Sequence, residues 1–344
     1  MDRVKIVAEI GCNHNGDASM AKELIAKAAE ADADAVKFQT FKAEQLVSVS
    51  APKAQYQKTN NEHESQLDML RNLELTHDEY RELKLYAEGL GLEWFSTGFD
   101  IDSIEFLTSL GQCVWKIPSG EITNLPYLEK IRDIECPNKE IILSTGMSTI
   151  EEIRFAVDVL QESKDTKLTI LHCNTEYPTR DEDMNLRAME VLRDNFPGWE
   201  VGLSDHSDGV VAPIVAIGMG AKFIEKHFTL DKSLPGPDHR ASITPGELTT
   251  LCREVRRAET LLGSKDKFVT DSERKNKIVA RKSIIAKRNI VVGEEFTQDN
   301  IVCKRPGNGI SPIHWYEILG KKAERDFVQD ELITCTGIEW EENK

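Results

Sequence analysis

The sequence predicts an α/β fold: a (β/α)8 TIM barrel followed by a small β-rich domain. Two patterns predict it. Eight short apolar, β-rich runs recur at residues 4–10, 34–39, 92–97, 113–117, 140–145, 167–172, 200–204 and 222–227. Each is followed by a segment with helical periodicity, for instance 19–31, 77–88, 149–161, 186–195 and, after the last run, 245–262. Strands alternating with helices build parallel sheets, and eight such units over this length are what the barrel requires. An open doubly wound sheet is the alternative. No glycine-rich dinucleotide fingerprint follows the first strand, so the barrel is preferred.

The elements divide the chain into a barrel at residues 1–264, a linker at 265–281 and a β-rich domain at 282–344. Between Phe41 and Thr76 lies a long polar excursion, including residues 53–58 (K-A-Q-Y-Q-K), of the kind that covers substrate at the top of a barrel. The linker is charged and poor in apolar residues. Beyond it, β-like runs fall at 283–286, 289–292 and 301–304, with a turn at 305–309 and a closing segment at 328–334. A domain of roughly sixty residues is below the size at which its core alone gives generous stability, so it is expected to lean on another surface.

Composition narrows the function. The chain has 344 residues, 40% hydrophobic and 30% charged, which is ordinary for a soluble globular protein. A net charge of −16 argues against nucleic acid or an anionic membrane as partner. An anionic substrate would need a local cluster of cations and N–H donors. The seven cysteines, Cys12, Cys113, Cys136, Cys173, Cys252, Cys303 and Cys335, are scattered without a C-x-x-C pair, as reduced thiols would be. Glu9 interrupts the first apolar run, and no stretch is long enough to span a bilayer; a cytoplasmic location is expected.

Functional side chains of a barrel sit at the C-terminal ends of its strands. All eight ends are polar here. They carry Glu9; Lys37 and Gln39; Thr97; Lys116, Ser119 and Glu121; Ser144; Asn174, Thr175 and Tyr177 after His172; Ser204 and His206; and His227. Some of the hydroxyl residues, Thr149 and Ser207 among them, are expected merely to cap helices. Capping does not explain Lys37, Lys116, Glu9 and Glu121 inside or beside apolar strands, since such groups are seldom buried without a partner or a purpose. His206 and His227 close neighbouring strands and can share one divalent ion, the alternative being two satisfied core imidazoles. Two protein nitrogens suit a loosely held Mn²⁺ or Mg²⁺. Lys37 and Lys116 amid hydroxyls suit a phosphate plus a carboxylate. A Schiff-base lysine is the rival chemistry.

These motifs resemble those of the sialic acid synthase family. The resemblance rests on residues 9–16 (E-I-G-C-N-H-N-G), 36–40 (V-K-F-Q-T), 116–121 (K-I-P-S-G-E), 143–147 (L-S-T-G-M) and 172–178 (H-C-N-T-E-Y-P). It continues through 202–206 (G-L-S-D-H), 225–231 (E-K-H-F-T-L-D), 236–239 (G-P-D-H), 275–287 and 304–309 (K-R-P-G-N-G), so it covers the whole chain. The C-terminal part is similar to the SAF domain, related in fold to type III antifreeze proteins. The resemblance implies condensation of phosphoenolpyruvate with N-acetylmannosamine to give N-acetylneuraminate and phosphate by C–O cleavage. It implies a metal, Mn²⁺ with Mg²⁺ or Co²⁺ as alternatives, on His206 and His227. Lys37, Thr97, Lys116, Ser119, Ser144 and Ser204 would hold phosphoenolpyruvate, with Gln39 also in the substrate site. Glu9 and Glu121 would manage protons, and Tyr177 and Asp238 would position the sugar. Arg305 would reach the N-acetyl group in the other subunit of a domain-swapped homodimer. Where some members carry Thr-Asn after His-Cys, this chain has Asn174-Thr175, which leaves that phosphoenolpyruvate contact to either residue. Sister synthases making legionaminic or pseudaminic acid from a diacetylated 6-deoxy sugar share the motifs and are the alternative. A Schiff-base aldolase and a carbohydrate-binding barrel without turnover are the more distant ones.

Overall fold

The computed structural model describes residues 3–53, 65–162 and 166–338. Of the 53–58 stretch, all but Lys53 lies outside the described residues. The chain divides into two units, at Gly263 and Ser264.

The first unit is the barrel. Its strands are β1 (Lys5–Gly11), β2 (Ala35–Thr40), β3 (Glu93–Gly98), β4 (Val114–Ile117), β5 (Glu140–Ser144), β6 (Lys167–Cys173), β7 (Glu200–Asp205) and β8 (Phe223–His227). They form one parallel sheet in the order β3-β2-β1-β8-β7-β6-β5-β4. These strands fall within two residues of the expected runs because apolar, β-branched segments bounded by turns have no other way to bury themselves. Helices cover the outside, and three begin with a reciprocal cap: Thr76 with Glu79, Thr149 with Glu152, and Thr244 with Glu247. Ser207, expected as a cap, is not one. The next helix, Val211–Gly218, starts later, and the Ser207 backbone serves Asp205 and Lys226 instead.

The ladder is continuous except between β3 and β4, which lie side by side. There Gln112 closes the seam. Its buried side chain accepts from Ser96 N–H at 2.8 Å and donates to Ser96 C=O at 2.9 Å, standing in for a strand residue. Inside the barrel, Val7, Ala35, Phe95, Ile142, Leu171 and Phe223 form an apolar layer. Below it, at the strand starts, Lys5 pairs with Glu93 (2.6 Å) and Glu140 (3.0 Å), and Lys167 with Glu140 (3.5 Å) and Glu200 (3.0 Å).

The second unit has its own core of Ile284, Ala286, Ile290, Phe296, Ile301, Ile310, Ile318 and Phe327. Strands β9 (Ser283–Ala286) and β10 (Ile301–Lys304) pair antiparallel. The two other expected strands shrink to single bridges, Ile290 with Phe327 and Ile285 with Leu332. Val291 and Val292 are mostly exposed, and left-handed Gly293 and Asp330 turn the backbone away before longer ladders can form. Part of the expected linker is a helix, Asp271–Ala280. It starts at a Thr270–Glu273 capping box and buries no residue, so hydrophobic periodicity gave no sign of it. No helix among the described residues is long and apolar enough to cross a membrane.

The seam generates a test. Gln112→Ala strands one buried N–H and one buried C=O, and should lower the stability of the folded chain by about 2–4 kcal/mol in urea unfolding. A loss below about 0.5 kcal/mol would mean the seam is closed by something else.

Candidate active site

Alternate residues along a barrel strand face the same side. On β8 that face carries Phe223, Glu225 and His227; on β1, Val7 and Glu9; on β2, Ala35, Lys37 and Gln39; on β3, Phe95 and Thr97; on β5, Ile142 and Ser144. The apolar member of each set belongs to the interior layer, and the polar ones line a cavity of about 450 Å³ above it. That volume is within the ~300–1,000 Å³ usual for small-molecule sites. Ser119, Thr175, Tyr177, Ser204, His206 and Asp238 line it too.

Four charges meet at the floor. Lys37 Nζ lies 2.6 Å from Glu9 Oε2 and 3.8 Å from Glu225 Oε2, while Lys116 Nζ donates to Glu225 Oε1 at 3.0 Å. All four residues are at most 4% exposed. Ser204 Oγ also donates to Glu225 Oε1 (3.0 Å), Gln39 Nε2 donates to Glu9 Oε1 (2.9 Å), and Lys37 reaches Thr97 Oγ1 at 3.5 Å. Burial acts on each group first, and its neighbours decide the outcome. Burial pushes the Glu9 carboxyl up to about 7, with Lys37 opposing and Glu225 adding to the rise. Burial would raise Glu225 as well, but Lys116 and Lys37 outweigh it and hold the carboxyl at about 2. Burial would lower Lys37, yet Glu225 and Glu9 keep its ammonium above the ordinary range. The Lys37 ammonium therefore stays charged while buried, and Lys116 is held beside it on the same carboxylate, an arrangement that suits an anion site. Gly11 makes the arrangement possible. It sits at a bulge with φ +50°, and a Cβ there would meet Glu9 Oε1 at 2.8 Å and Gln39 Nε2 at 2.9 Å.

His206 and His227 lie at the other side of the floor, with ring centroids 5.2 Å apart. His206 Nδ1 donates to the Asn174 carbonyl at 2.5 Å, which leaves its Nε2 with a lone pair. Burial, then the neighbouring His206, pushes His227 well below the usual imidazole range, so it is neutral at pH 7. Its buried Nδ1 has no hydrogen-bond partner and lies 3.7 Å from Asp238 Oδ2. Burial would lower His206, yet Cys173 and the Asn174 carbonyl hold its imidazole above the usual range. Once both rings are deprotonated, the two imidazoles lining the cavity fit a divalent ion that completes its shell with solvent and substrate oxygens. Among the described residues no group of three or more His, Cys, Asp or Glu side chains could hold a metal by itself. Tyr177 packs at a tilt against His206 (4.1 Å between ring centroids) and meets His227 edge-on (5.7 Å). Burial raises the Asp238 carboxyl to about 6.

Two expected site residues, Glu121 and Asn174, do not line the cavity. Glu121 is half-buried in a short 3-10 turn, where its carboxylate accepts from Asn124 Nδ2 at 2.6 Å. The Asn174 side chain stitches its own loop, accepting from Glu176 N–H (2.8 Å) and donating to Asp183 C=O (3.2 Å), so Thr175 alone of that pair lines the cavity. Arg305 belongs to the second unit, where its Nε donates to Ala280 C=O at 3.0 Å. Conversely, Glu225 was not expected. Its signal was present, for it stands two residues before His227 in a strand and so on the same face. Several residues of the family motifs hold loops rather than the cavity. Asn13 donates to Phe228 C=O and Ser242 Oγ, His239 meets Thr229 Oγ1 and Asn15 Oδ1, and His172 Nε2 meets Met184 C=O.

Comparison with known proteins decides the family. The NeuB family model matches residues 24–267, and the SAF domain model matches residues 281–339. The chain belongs to the NeuB family. It is thus an enzyme of the sialic acid synthase group with a C-terminal SAF domain, and enzymes of this family condense phosphoenolpyruvate with an amino sugar. This NeuB chain is 48% identical to an N,N'-diacetyllegionaminic acid synthase of Campylobacter jejuni, over 97% of the chain and 99% of the relative. It is 47% identical to the enzyme of that name in Legionella pneumophila, over 92% and 89%. A crystal structure of an N-acetylneuraminic acid synthetase from Leptospira borgpetersenii superposes with a TM-score of 0.70, at 32% identity, covering 80% of this chain and 90% of that one. The resemblance implied an N-acetylneuraminate synthase, with the legionaminic acid enzymes as the alternative; identity runs higher toward that alternative than toward the N-acetylneuraminic acid synthetase.

The charge cluster generates a second test. In Glu225→Gln both lysines lose their shared counter-ion, and unfolding in urea at pH 7 should show a loss of about 3–5 kcal/mol. An unchanged midpoint would mean that Glu9 alone compensates them.

Proposed function

We propose that this chain is an N,N'-diacetyllegionaminic acid synthase, condensing phosphoenolpyruvate with a diacetylated 6-deoxy amino sugar and releasing phosphate. The choice of sugar is supported by the higher identity to enzymes of that name than to the N-acetylneuraminic acid synthetase. The chemistry is supported by the two buried, charged lysines at the cavity floor.

In this mechanism Lys37 and Lys116 bind the phosphate and carboxylate, and Thr97, Ser119, Ser144 and Ser204 donate to their oxygens. Ser144 Oγ is buried and has no partner of its own, so it is free to donate. Glu225 pairs with both ammonium groups and holds them in place at the floor. C3 of phosphoenolpyruvate forms the new bond to the aldehyde carbon of the open-chain sugar. The cationic C2 then takes up water, and phosphate leaves with its bridging oxygen by C–O cleavage. Glu9, with its carboxyl near neutrality, can exchange the protons that the water and the sugar hydroxyl lose and gain. Tyr177 and Asp238 border the space left for the sugar. A divalent ion, Mn²⁺ with Mg²⁺ or Co²⁺ as alternatives, would be held by His206 and His227 and would polarise the sugar aldehyde as a Lewis acid. The homodimer, and the contact of Arg305 with an N-acetyl group, belong to the same proposal.

The test is phosphate release from phosphoenolpyruvate by chelator-stripped protein, with and without Mn²⁺, offered either sugar. Mn²⁺-dependent turnover with kcat/KM at least about tenfold higher for the diacetylated 6-deoxy sugar is expected. Equal or better use of N-acetylmannosamine would move the product to N-acetylneuraminate. No release with either sugar and metal would overturn the synthase chemistry.

A further inference from the structure

The two histidines of the cavity are held by different means. His227 closes β8 within the sheet, opposite Glu9 of β1. The Phe228 N–H donates to the Glu9 carbonyl at 2.8 Å, and the His227 carbonyl accepts from the Ile243 N–H at 2.8 Å. His206 comes one residue after β7, just past the rung at which Asp205 stands opposite Lys226. On the β6 side its ring donates to the Asn174 carbonyl, and its own carbonyl accepts from the Thr179 N–H at 2.9 Å. On the β8 side the residues flanking it are held instead.

Lys226 holds them. Its Nζ donates to Asp205 Oδ2 at 2.5 Å and to the Ser207 carbonyl at 2.7 Å, so one ammonium group reaches the residues on both sides of His206. Asp205 Oδ1 accepts from the Ser207 N–H at 2.9 Å and closes the arrangement. The two side chains are 1% and 0% exposed. Strand alternation turns Glu225 and His227 toward the cavity and Lys226 away from it, and on β7 Ser204 toward it and Asp205 away. The ion pair therefore acts from behind the cavity wall.

A buried ion pair contributes little stability beyond apolar residues of the same volume, so its presence asks for another reason. Position supplies one. Lys226 adjoins His227 in the chain and Asp205 adjoins His206, so the pair links the two imidazoles, whose ring centroids lie 5.2 Å apart, through one residue on each strand. An ion shared by two protein nitrogens is sensitive to their spacing, and groups that orient metal ligands govern affinity nearly as much as the ligands do. We propose that Lys226 and Asp205 are the positioning residues of this histidine pair, clamping the segment that carries His206 onto the strand that carries His227. The inference rests on the proposed placement of a divalent ion on these histidines and adds the residues behind the wall that set its affinity.

Lys226→Met alone would leave a buried carboxylate unpaired, at a cost to folding. The test therefore uses the full chain with Asp205→Asn and Lys226→Met together, which removes both charges and keeps an oxygen for the Ser207 N–H. Two affinities are measured: Mn²⁺ by the loss of its free-ion electron paramagnetic resonance signal, and phosphoenolpyruvate by calorimetry on metal-free protein. Mn²⁺ affinity should fall by at least about tenfold, while that for phosphoenolpyruvate stays within about twofold of the wild type. Asp205→Asn alone, which leaves Lys226 on the Ser207 carbonyl, should show the same split to a smaller degree and carries the test if the double variant does not fold. Mn²⁺ affinity within about twofold of the wild type would overturn the inference and leave the proposed function standing. Equal loss of both affinities would show a general loosening of the barrel and overturn it as well. A wild-type protein that does not hold Mn²⁺ would instead overturn the metal assignment in the proposed function.

Discussion

Two buried lysines sharing one buried carboxylate are the constraint on which this site depends. An ammonium group stripped of water costs several kcal/mol unless it is paired and hydrogen-bonded. Lys116 and Lys37 meet that condition through Glu225, and Lys37 again through Glu9. Every element around them serves the pairing: Gly11 leaves room for the Glu9–Gln39 contact, and Ser204 supplies a further donor to Glu225. The barrel interior is layered accordingly. Charges at the strand starts, around Lys5 and Lys167, are separated from those at the strand ends by Phe95, Phe223 and their neighbours. The apolar layer keeps water out from below, so that electrostatic interactions at the floor act at close range.

The two walls of the cavity answer to different physics. The strand-end wall is part of a hydrogen-bonded ladder, and its residues are fixed within the register of the sheet, Glu9 opposite Lys37 on one side and His227 on the other. Phe41, Leu46 and Val47, after β2, and Met69 and Leu70, on a short helix, also line the cavity, where substitutions need not disturb the ladder.

Much of this was legible in the sequence, and the failures have physical causes. The eight strands and their polar ends could be read because strand patterning repeats every two residues and the barrel places its chemistry at one rim. Lys37, Lys116, His206 and His227 followed from that rule alone. Glu225 did not, because the strand-end rule marks the last residue of β8 and not the one two positions earlier that shares its face. Gln112 was invisible, since a side chain that imitates a strand leaves no periodic trace. Asn174 and Glu121 lie in motifs of the site yet point to neighbouring backbone and to Asn124, a distinction only geometry makes. The helix Asp271–Ala280 buries nothing, so a segment read as a linker carried its capping box unnoticed. The sugar was left between two readings, because sister synthases share the strand-end motifs and no single residue type separates them.

The account stands or falls on whether the paired lysines form an anion site. The most direct measurement is calorimetric titration of phosphoenolpyruvate into the sugar-free and metal-free protein, comparing the wild type with Lys116→Met and with circular dichroism confirming the fold. Affinity should drop by at least about 30-fold in the variant, as expected when one partner of a buried charge contact is removed. Equal affinity in the two proteins would contradict the assignment of Lys116 and its partners to the anion, and with it the mechanism built on them.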